Sequence, residues 1–255
     1  MKEFFGFGGY EREPEGFMSW QHLLFVSSLV AIMIALAIFL GLKNRGKDEK
    51  CKNAVLIWAA ILIDTIEIFK IVMFCVRASD PLGWIHSLPL FLCSIQLITI
   101  PLAAFSSGRV KEASLDFVFI FGLLGAILGT YGAAQNYGAY PVISLDNVAS
   151  GITHCISGFT ALYIVISGMA SMKKNNIPIT FAILGGFAAA ALLVNPITDS
   201  NYMFLLRGDG TPYDILYNLV GGNAILYPIG VIGLFLIYIV VFYLAYYFFK
   251  NRKKS

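Results

Sequence analysis

Residues 20–42 read WQHLLFVSSLVAIMIALAIFLGL, with no acidic side chain, lysine or arginine. About 20 consecutive apolar residues are needed to cross the hydrocarbon core of a bilayer as an α-helix, because lipid offers no hydrogen-bond partners to bare backbone groups. The stretch therefore predicts a membrane-spanning helix. The residues before it include Glu11, Glu13 and Glu15 rather than a positively charged leader, so we do not expect a cleavable signal peptide.

The composition of the whole chain indicates the same class. Its 255 residues are 58% hydrophobic and 13% charged, which is too apolar for a soluble domain of this size. We predict an all-α, polytopic protein of the cell membrane that forms one seven-transmembrane-helix bundle, a single domain over residues 1–255. The seven predicted spans are residues 20–42, 53–76, 86–105, 115–134, 147–170, 178–195 and 226–249.

The distribution of lysine and arginine predicts the orientation. Thirteen of them lie in the loops at 43–52, 106–112 and 171–177 and in the tail at 250–254, whereas the alternate loops hold four. Basic loops stay in the cytoplasm, so we expect the N-terminus outside and the C-terminus in the cytoplasm. The net charge of +3 reflects this topology, and we expect no nucleic-acid partner.

The second predicted span carries three ionisable side chains. Asp64, Glu67 and Lys70 are spaced at i, i+3 and i+6 and share one broad helical face. Each costs about 2.5–3.5 kcal/mol in the hydrocarbon and normally faces the interior of the bundle. Two interpretations are open: a Glu67–Lys70 ion pair that locks this helix against its neighbours, or the wall of a polar pocket.

The third and fifth predicted spans each carry a stripe with a reactive group. On the third, His86, Pro89, Cys93 and Gln96 would share a helical face. On the fifth, small and polar residues flank His154. Taken alone, a buried cysteine is usually a small packing residue, and a lone membrane histidine can be bonded to a neighbouring carbonyl.

The predicted topology places Cys93 and His154 at a similar depth in the membrane. Cys93 and His154 each lie about seven residues, or roughly 10 Å, below the outer end of a span. Glu67 and Lys70 lie in the same half, and the predicted outer loop closes that end with Asn195, Asn201 and Tyr202. This loop of about thirty residues is too apolar for disorder, and we interpret it as an interfacial cap.

A thiol and an imidazole within reach of each other form a nucleophile–base pair. Glu67 or Asp64 could orient the imidazole, and Gln96 or Asn201 could donate to an oxyanion. A site in one leaflet suits a substrate that arrives laterally, which is a lipid acyl ester.

The motifs Leu-Pro-Leu-Phe-Leu-Cys-Ser (88–94) and Asn-Tyr-Met-Phe-Leu (201–205), together with His154, resemble the YwaF-like integral membrane proteins, bacterial relatives of transmembrane protein 164. The resemblance implies a heptahelical lipid enzyme that moves acyl chains between phospholipids through an acyl-cysteine. It gives Cys93 the role of nucleophile and His154 that of base, with phospholipid or lysophospholipid as substrate. Bacterial members often have histidine where this chain has Phe91, so any role of that histidine is missing here.

The alternative from another class is a small-solute transporter or substrate-binding membrane component, with Asp64, Glu67, Lys70 and His154 lining a path. A retinal protein is disfavoured because the seventh span has no mid-membrane lysine. The three scattered histidines and the absence of a CxxC motif disfavour a metal site, and we expect no cofactor. The sequence does not predict the oligomeric state.

Overall fold

The computed structural model of the chain describes residues 2–252. Within that range every regular element is a helix, and no strand is present. The α-helices are α1 Lys2–Phe5, α2 Trp20–Asn44, α3 Glu49–Ala78, α4 Gln96–Phe105, α5 Gly108–Thr130, α6 Ala134–Ala139, α7 Leu145–Ile166, α8 Ile177–Thr198, α9 Tyr213–Leu219 and α10 Leu226–Arg252. Short 3-10 helices occupy Gly83–Ser87, Lys174–Asn176 and Tyr202–Phe204.

Hydrogen-bonding side chains start three of the long helices. Ser19, Asp48 and Ser144 each accept a hydrogen bond from the backbone N–H three residues later, at the beginning of α2, α3 and α7 respectively. These caps satisfy donors that have no partner inside the helix. The three helices therefore begin close to the first residues of the predicted spans.

Five helical segments of the described chain are long and apolar enough to cross a membrane. They are Trp20–Asn44, Gly108–Ala139, Leu145–Ile166, Lys174–Thr198 and Leu226–Arg252. The prediction of an all-helical, multi-pass membrane protein is therefore confirmed, whereas the count of seven spans is not. The 30-residue α3 is interrupted by charged side chains, and the 10-residue α4 covers about 15 Å, half of the hydrocarbon core.

The predicted helix over 86–105 was wrong in its first half. Residues 88–95 form turns, and α4 begins only at Gln96, so His86, Pro89, Cys93 and Gln96 do not share a helical face. Leu88 is extended because the ring of a following proline disfavours the α conformation. The Ser94 hydroxyl bonds to both the N–H and the C=O of Phe91, at 3.0 Å each, and such local bonds compete with a helix.

The chain divides into two compact units. The first comprises the residues up to Pro89 together with Gln96–Ser171, and the second comprises Leu90–Ile95 together with the residues from Met172 onward. In the first unit, α5 and α7 make the most extensive helix contact, and α3 and α4 also pack against this pair. The first unit's core includes Leu56, Ile100, Val118 and Tyr163.

The second unit is built on α8, α9 and α10. Its buried apolar side chains include Leu184 and Ala188 on α8 and Val231, Phe235 and Ile239 on α10. The six-residue segment that carries Cys93 belongs to this unit, although α4, which directly follows it in the chain, belongs to the first.

Candidate functional site

Cys93 lies on the turn between Leu90 and Ile95 in the second unit, and it is partly buried. Phe91, two residues earlier, packs edge to face against Tyr202 with ring centroids 5.0 Å apart, and it lies 5.9 Å from the ring of Phe204. Aromatic pairs in this geometry contribute about 0.5–1.5 kcal/mol beyond the area that they bury. The turn that carries the thiol is therefore anchored on the loop after α8.

That loop is itself held by Asn195, a fully buried residue of α8. The Asn195 Oδ1 accepts the N–H of Tyr202 at 2.7 Å, and its Nδ2 donates to the Tyr202 carbonyl at 3.2 Å. Met203 and Phe204 then adopt left-handed backbone angles, with φ of 57° and 55°, which are uncommon outside glycine. Such a conformation persists only where its surroundings fix it, and Asn195 supplies that constraint.

Asn201 is engaged within the same loop. Its amide Nδ2 donates to the carbonyl of Arg207 and to the carboxylate of Asp209, both at 2.7 Å, and its Oδ1 accepts the N–H of Leu206 at 2.9 Å. Both amide hydrogens are used in these bonds. The geometry thus gives Asn201 a structural part in the loop rather than an oxyanion-donating one.

Gln96 is the buried first residue of α4, in the first unit. Its Oε1 accepts the Thr99 hydroxyl at 3.1 Å, whereas its Nε2 has no hydrogen-bond partner among the described residues. A buried unpaired donor costs about 1–3 kcal/mol. Gln96 therefore retains the donating capacity that an oxyanion role requires.

His154 lies on α7 in the first unit, where it is partly buried. Its Nδ1 is 2.7 Å from the carbonyl oxygen of Ser150. A carbonyl can only accept, so Nδ1 carries the hydrogen and, in the neutral ring, Nε2 is the nitrogen that can take a proton. The ring packs on the backbone of Gly129 in α5, where an added Cβ would overlap it.

The charged residues of α3 divide between two environments. Glu67 and Lys70 form the expected ion pair, at 2.7 Å and within α3 itself. Asp64 instead lines a groove of about 440 Å³ with Leu97, Ile98, Pro101, Leu102, Phe105 and Ser106. His86 is exposed on the 3-10 helix that follows α3.

A largely buried ion pair that the sequence did not predict joins α3 to α7. Arg77 binds the Asp146 carboxylate through two bonds of 2.6 and 2.7 Å, and the Tyr10 hydroxyl donates to the same carboxylate at 2.6 Å. Burial, together with the hydrogen bond to Asp146, raises the pKa of Tyr10 to about 12. The only signal in the sequence was that Arg77 and Asp146 lie at span ends predicted on the same side of the membrane.

The predicted site residues thus fall into two sets. Cys93, Asn195, Asn201 and Tyr202 belong to the second unit, whereas Asp64, Glu67, Lys70, His86, Gln96 and His154 belong to the first. Among residues 2–252, no group of three or more histidine, cysteine, aspartate or glutamate side chains is arranged to hold a metal ion.

A family model described as the TMEM164 family matches residues 17–249, which confirms the resemblance indicated by the motifs. The chain is also similar to NADH-quinone oxidoreductase subunit N of Francisella tularensis subsp. holarctica (strain FTNF002-00 / FTA), with 23% identity over 137 residues. That match covers 51% of this chain and 26% of the relative, so the chain spans only a fraction of that protein. No solved structure matches the chain.

Proposed function

Because the chain belongs to the TMEM164 family, we propose that it is a membrane-embedded acyltransferase of the cell membrane. It would act on phospholipid acyl chains in the outer half of the bilayer through an acyl-cysteine at Cys93. The observation that carries the proposal is the setting of this thiol, on a turn outside any helix and anchored through Phe91 to Tyr202.

Cys155, by contrast, has the surroundings of a cysteine that serves only in packing. Cys155 lies inside α7, buried in an apolar cluster with Met33 and Ala126. Burial disfavours the thiolate, which is the attacking species. Cys155 is therefore the matched control for Cys93.

The proposed reaction has two steps. The Cys93 thiolate attacks the carbonyl carbon of a phospholipid ester, a C–S bond forms, the ester C–O bond breaks, and the released lysophospholipid takes up a proton. The hydroxyl of an acceptor lysophospholipid then attacks the thioester carbon and gives up its proton to a base; a new ester C–O bond forms, the C–S bond breaks, and the thiolate is released. Water in place of the acceptor would give a free fatty acid.

The family resemblance assigns the proton-accepting role to His154. The bond from its Nδ1 to the Ser150 carbonyl supports this assignment, since it leaves the basic nitrogen at Nε2. Gln96 is the better of the two expected oxyanion donors, because the amide of Asn201 is engaged in its own loop.

The test is acyl transfer in vesicles that contain a phospholipid with an alkyne-tagged acyl chain and an untagged lysophospholipid. We expect wild type and Cys155→Ala to produce tagged phospholipid from the acceptor. Cys93→Ala should fold nearly normally and lose transfer by at least about 100-fold, since the nucleophile is gone. Equal transfer by wild type and Cys93→Ala would overturn the proposal.

A further inference from the structure

The short helix α9 has two unlike faces. On one face, Leu216 packs against Gly230 of α10, where an added Cβ would lie 2.9 Å from Leu216 Cδ2, and Tyr217 meets Tyr227 edge to face at 5.1 Å. On the other face, Ile215 and Leu219 are 76% and 80% exposed. The spacing of four residues places these two side chains next to each other on the helix surface.

α9 lies against a candidate membrane span, because Leu216 packs on Gly230 of α10. Ile225 and Leu226, at the start of α10, are 69% and 55% exposed. From there the exposed apolar surface runs along α10, over Ile229, Leu234 and Ile237. Because lipid covers the outward surface of a membrane span, the same lipid is the occupant that fits the exposed apolar face of the α9 helix packed against that span.

The opposite side of α9 reaches the aromatic cluster that holds the Cys93 turn. Tyr213, the first residue of α9, stacks on Phe204 with ring centroids 5.6 Å apart. The ring of Phe204 in turn lies near that of Phe91, two residues before the thiol, with ring centroids 5.9 Å apart. All of these residues belong to the second unit, so a single helix links a lipid-compatible surface with the turn that carries the nucleophile.

We propose that the Ile215–Leu219 face of α9 is a lipid-docking surface, at which a bilayer phospholipid binds before its acyl ester reaches Cys93. This assignment rests on the proposed acyltransferase function for its catalytic consequence. It adds the place where the substrate meets the protein. Contact with lipid at this face can be tested without any activity measurement.

The first test measures contact with lipid directly. The three native tryptophans, Trp20, Trp58 and Trp84, are replaced by phenylalanine, and one tryptophan is introduced as Ile215→Trp or Leu219→Trp. In vesicles of brominated phosphatidylcholine we expect strong quenching of both. The control is Gly46→Trp, at a loop position where an added Cβ meets no atom within 4 Å, and it should be quenched little. Quenching at 215 and 219 no greater than at 46 would overturn the proposal.

The second test measures the catalytic consequence. In the double variant Ile215→Asn/Leu219→Asn, the apparent KM for vesicle phospholipid should rise about tenfold at unchanged kcat, because apolar contact with the substrate is lost before the chemical step. Ile197→Asn is the control, since Ile197 is 82% exposed near the end of α8 and outside this face. An unchanged KM in the double variant, or an equal rise in Ile197→Asn, would contradict the assignment.

The two tests separate this proposal from the one on which it rests. If the wild type has no transfer activity but the tryptophans of Ile215→Trp and Leu219→Trp are quenched, the lipid contact stands and the acyltransferase proposal is overturned. If the wild type is active but the tryptophan of Ile215→Trp is not quenched, the acyltransferase proposal stands and the lipid-docking surface is overturned.

Discussion

The imidazole ring of His154 occupies the space over the backbone of Gly129 in which any side chain at position 129 would begin. The two residues lie on α7 and α5, the helix pair with the most extensive contact in the first unit. A glycine at 129 therefore lets the ring reach the carbonyl oxygen of Ser150 at 2.7 Å. Gly129 is a positioning residue for the histidine rather than a general packing residue.

Gly129→Ala should displace the His154 ring and break its bond to the Ser150 carbonyl. Because a misplacement of about 1 Å can cost about 100-fold in rate, we expect a loss of that order in kcat. The control is Gly186→Ala on α8, where an added Cβ meets no atom within 4 Å. A wild-type kcat in Gly129→Ala would contradict this role.

Asp146→Ala should destabilise the protein strongly, because it leaves Arg77 largely buried without its counter-ion. Breaking one side of a buried pair typically costs about 3–5 kcal/mol. Arg207→Ala breaks an ion pair with Asp209 in which the two side chains are 51% and 31% exposed, and it should cost at most about 1 kcal/mol. Denaturant unfolding of the purified protein in detergent measures both losses, and equal losses would disprove the structural weight given to the Arg77–Asp146 pair.

Tyr10 should stabilise the fold over a defined range of pH. Its folded pKa of about 12 is raised above the ordinary value of about 10, so its contribution is fully present below pH 10 and lost as the pH rises through about 12. The free energy of unfolding of wild type minus that of Tyr10→Phe should then stay constant from pH 7 to 9 and shrink above pH 10. A difference that grows above pH 10 would refute the assignment.

Asn195→Ala should loosen the loop that supports the Cys93 turn. It removes the two hydrogen bonds between the Asn195 side chain and the Tyr202 backbone, at 2.7 and 3.2 Å, and each such bond contributes about 0.5–1.5 kcal/mol. Amide hydrogen exchange should accelerate in peptides that cover residues 201–205. Asn218→Ala, at an exposed position of α9, should leave exchange there unchanged, and equal protection in both variants would show that Asn195 does not hold the loop.

The sequence predicted the long helices well because their signals are local. Continuous apolar runs marked the membrane spans, and Ser19 and Ser144 cap α2 and α7 close to the expected starts. The Cys93 turn was not predicted, because the spacing of His86, Pro89, Cys93 and Gln96 is also typical of a helix. The turn depends on the bonds of Ser94 to Phe91 and on the packing of Phe91 against Tyr202.

The candidate site was predictable only in its residue types. That Asn195 would bind the Tyr202 backbone follows from the loop conformation after α8, which no spacing rule specifies. The Arg77–Asp146–Tyr10 group joins residues far apart in the chain. Its formation depends on how the N-terminal residues fold back onto α3 and α7.

The most direct test of the account is the mass of the intact protein after incubation with phospholipid vesicles. We expect wild type and Cys155→Ala to gain the mass of one fatty acyl chain, which peptide analysis locates at Cys93 and neutral hydroxylamine removes, as it does a thioester. Cys93→Ala should gain none. An adduct of equal abundance in Cys93→Ala, or no adduct in a wild type that still transfers acyl chains, would contradict the acyl-cysteine mechanism.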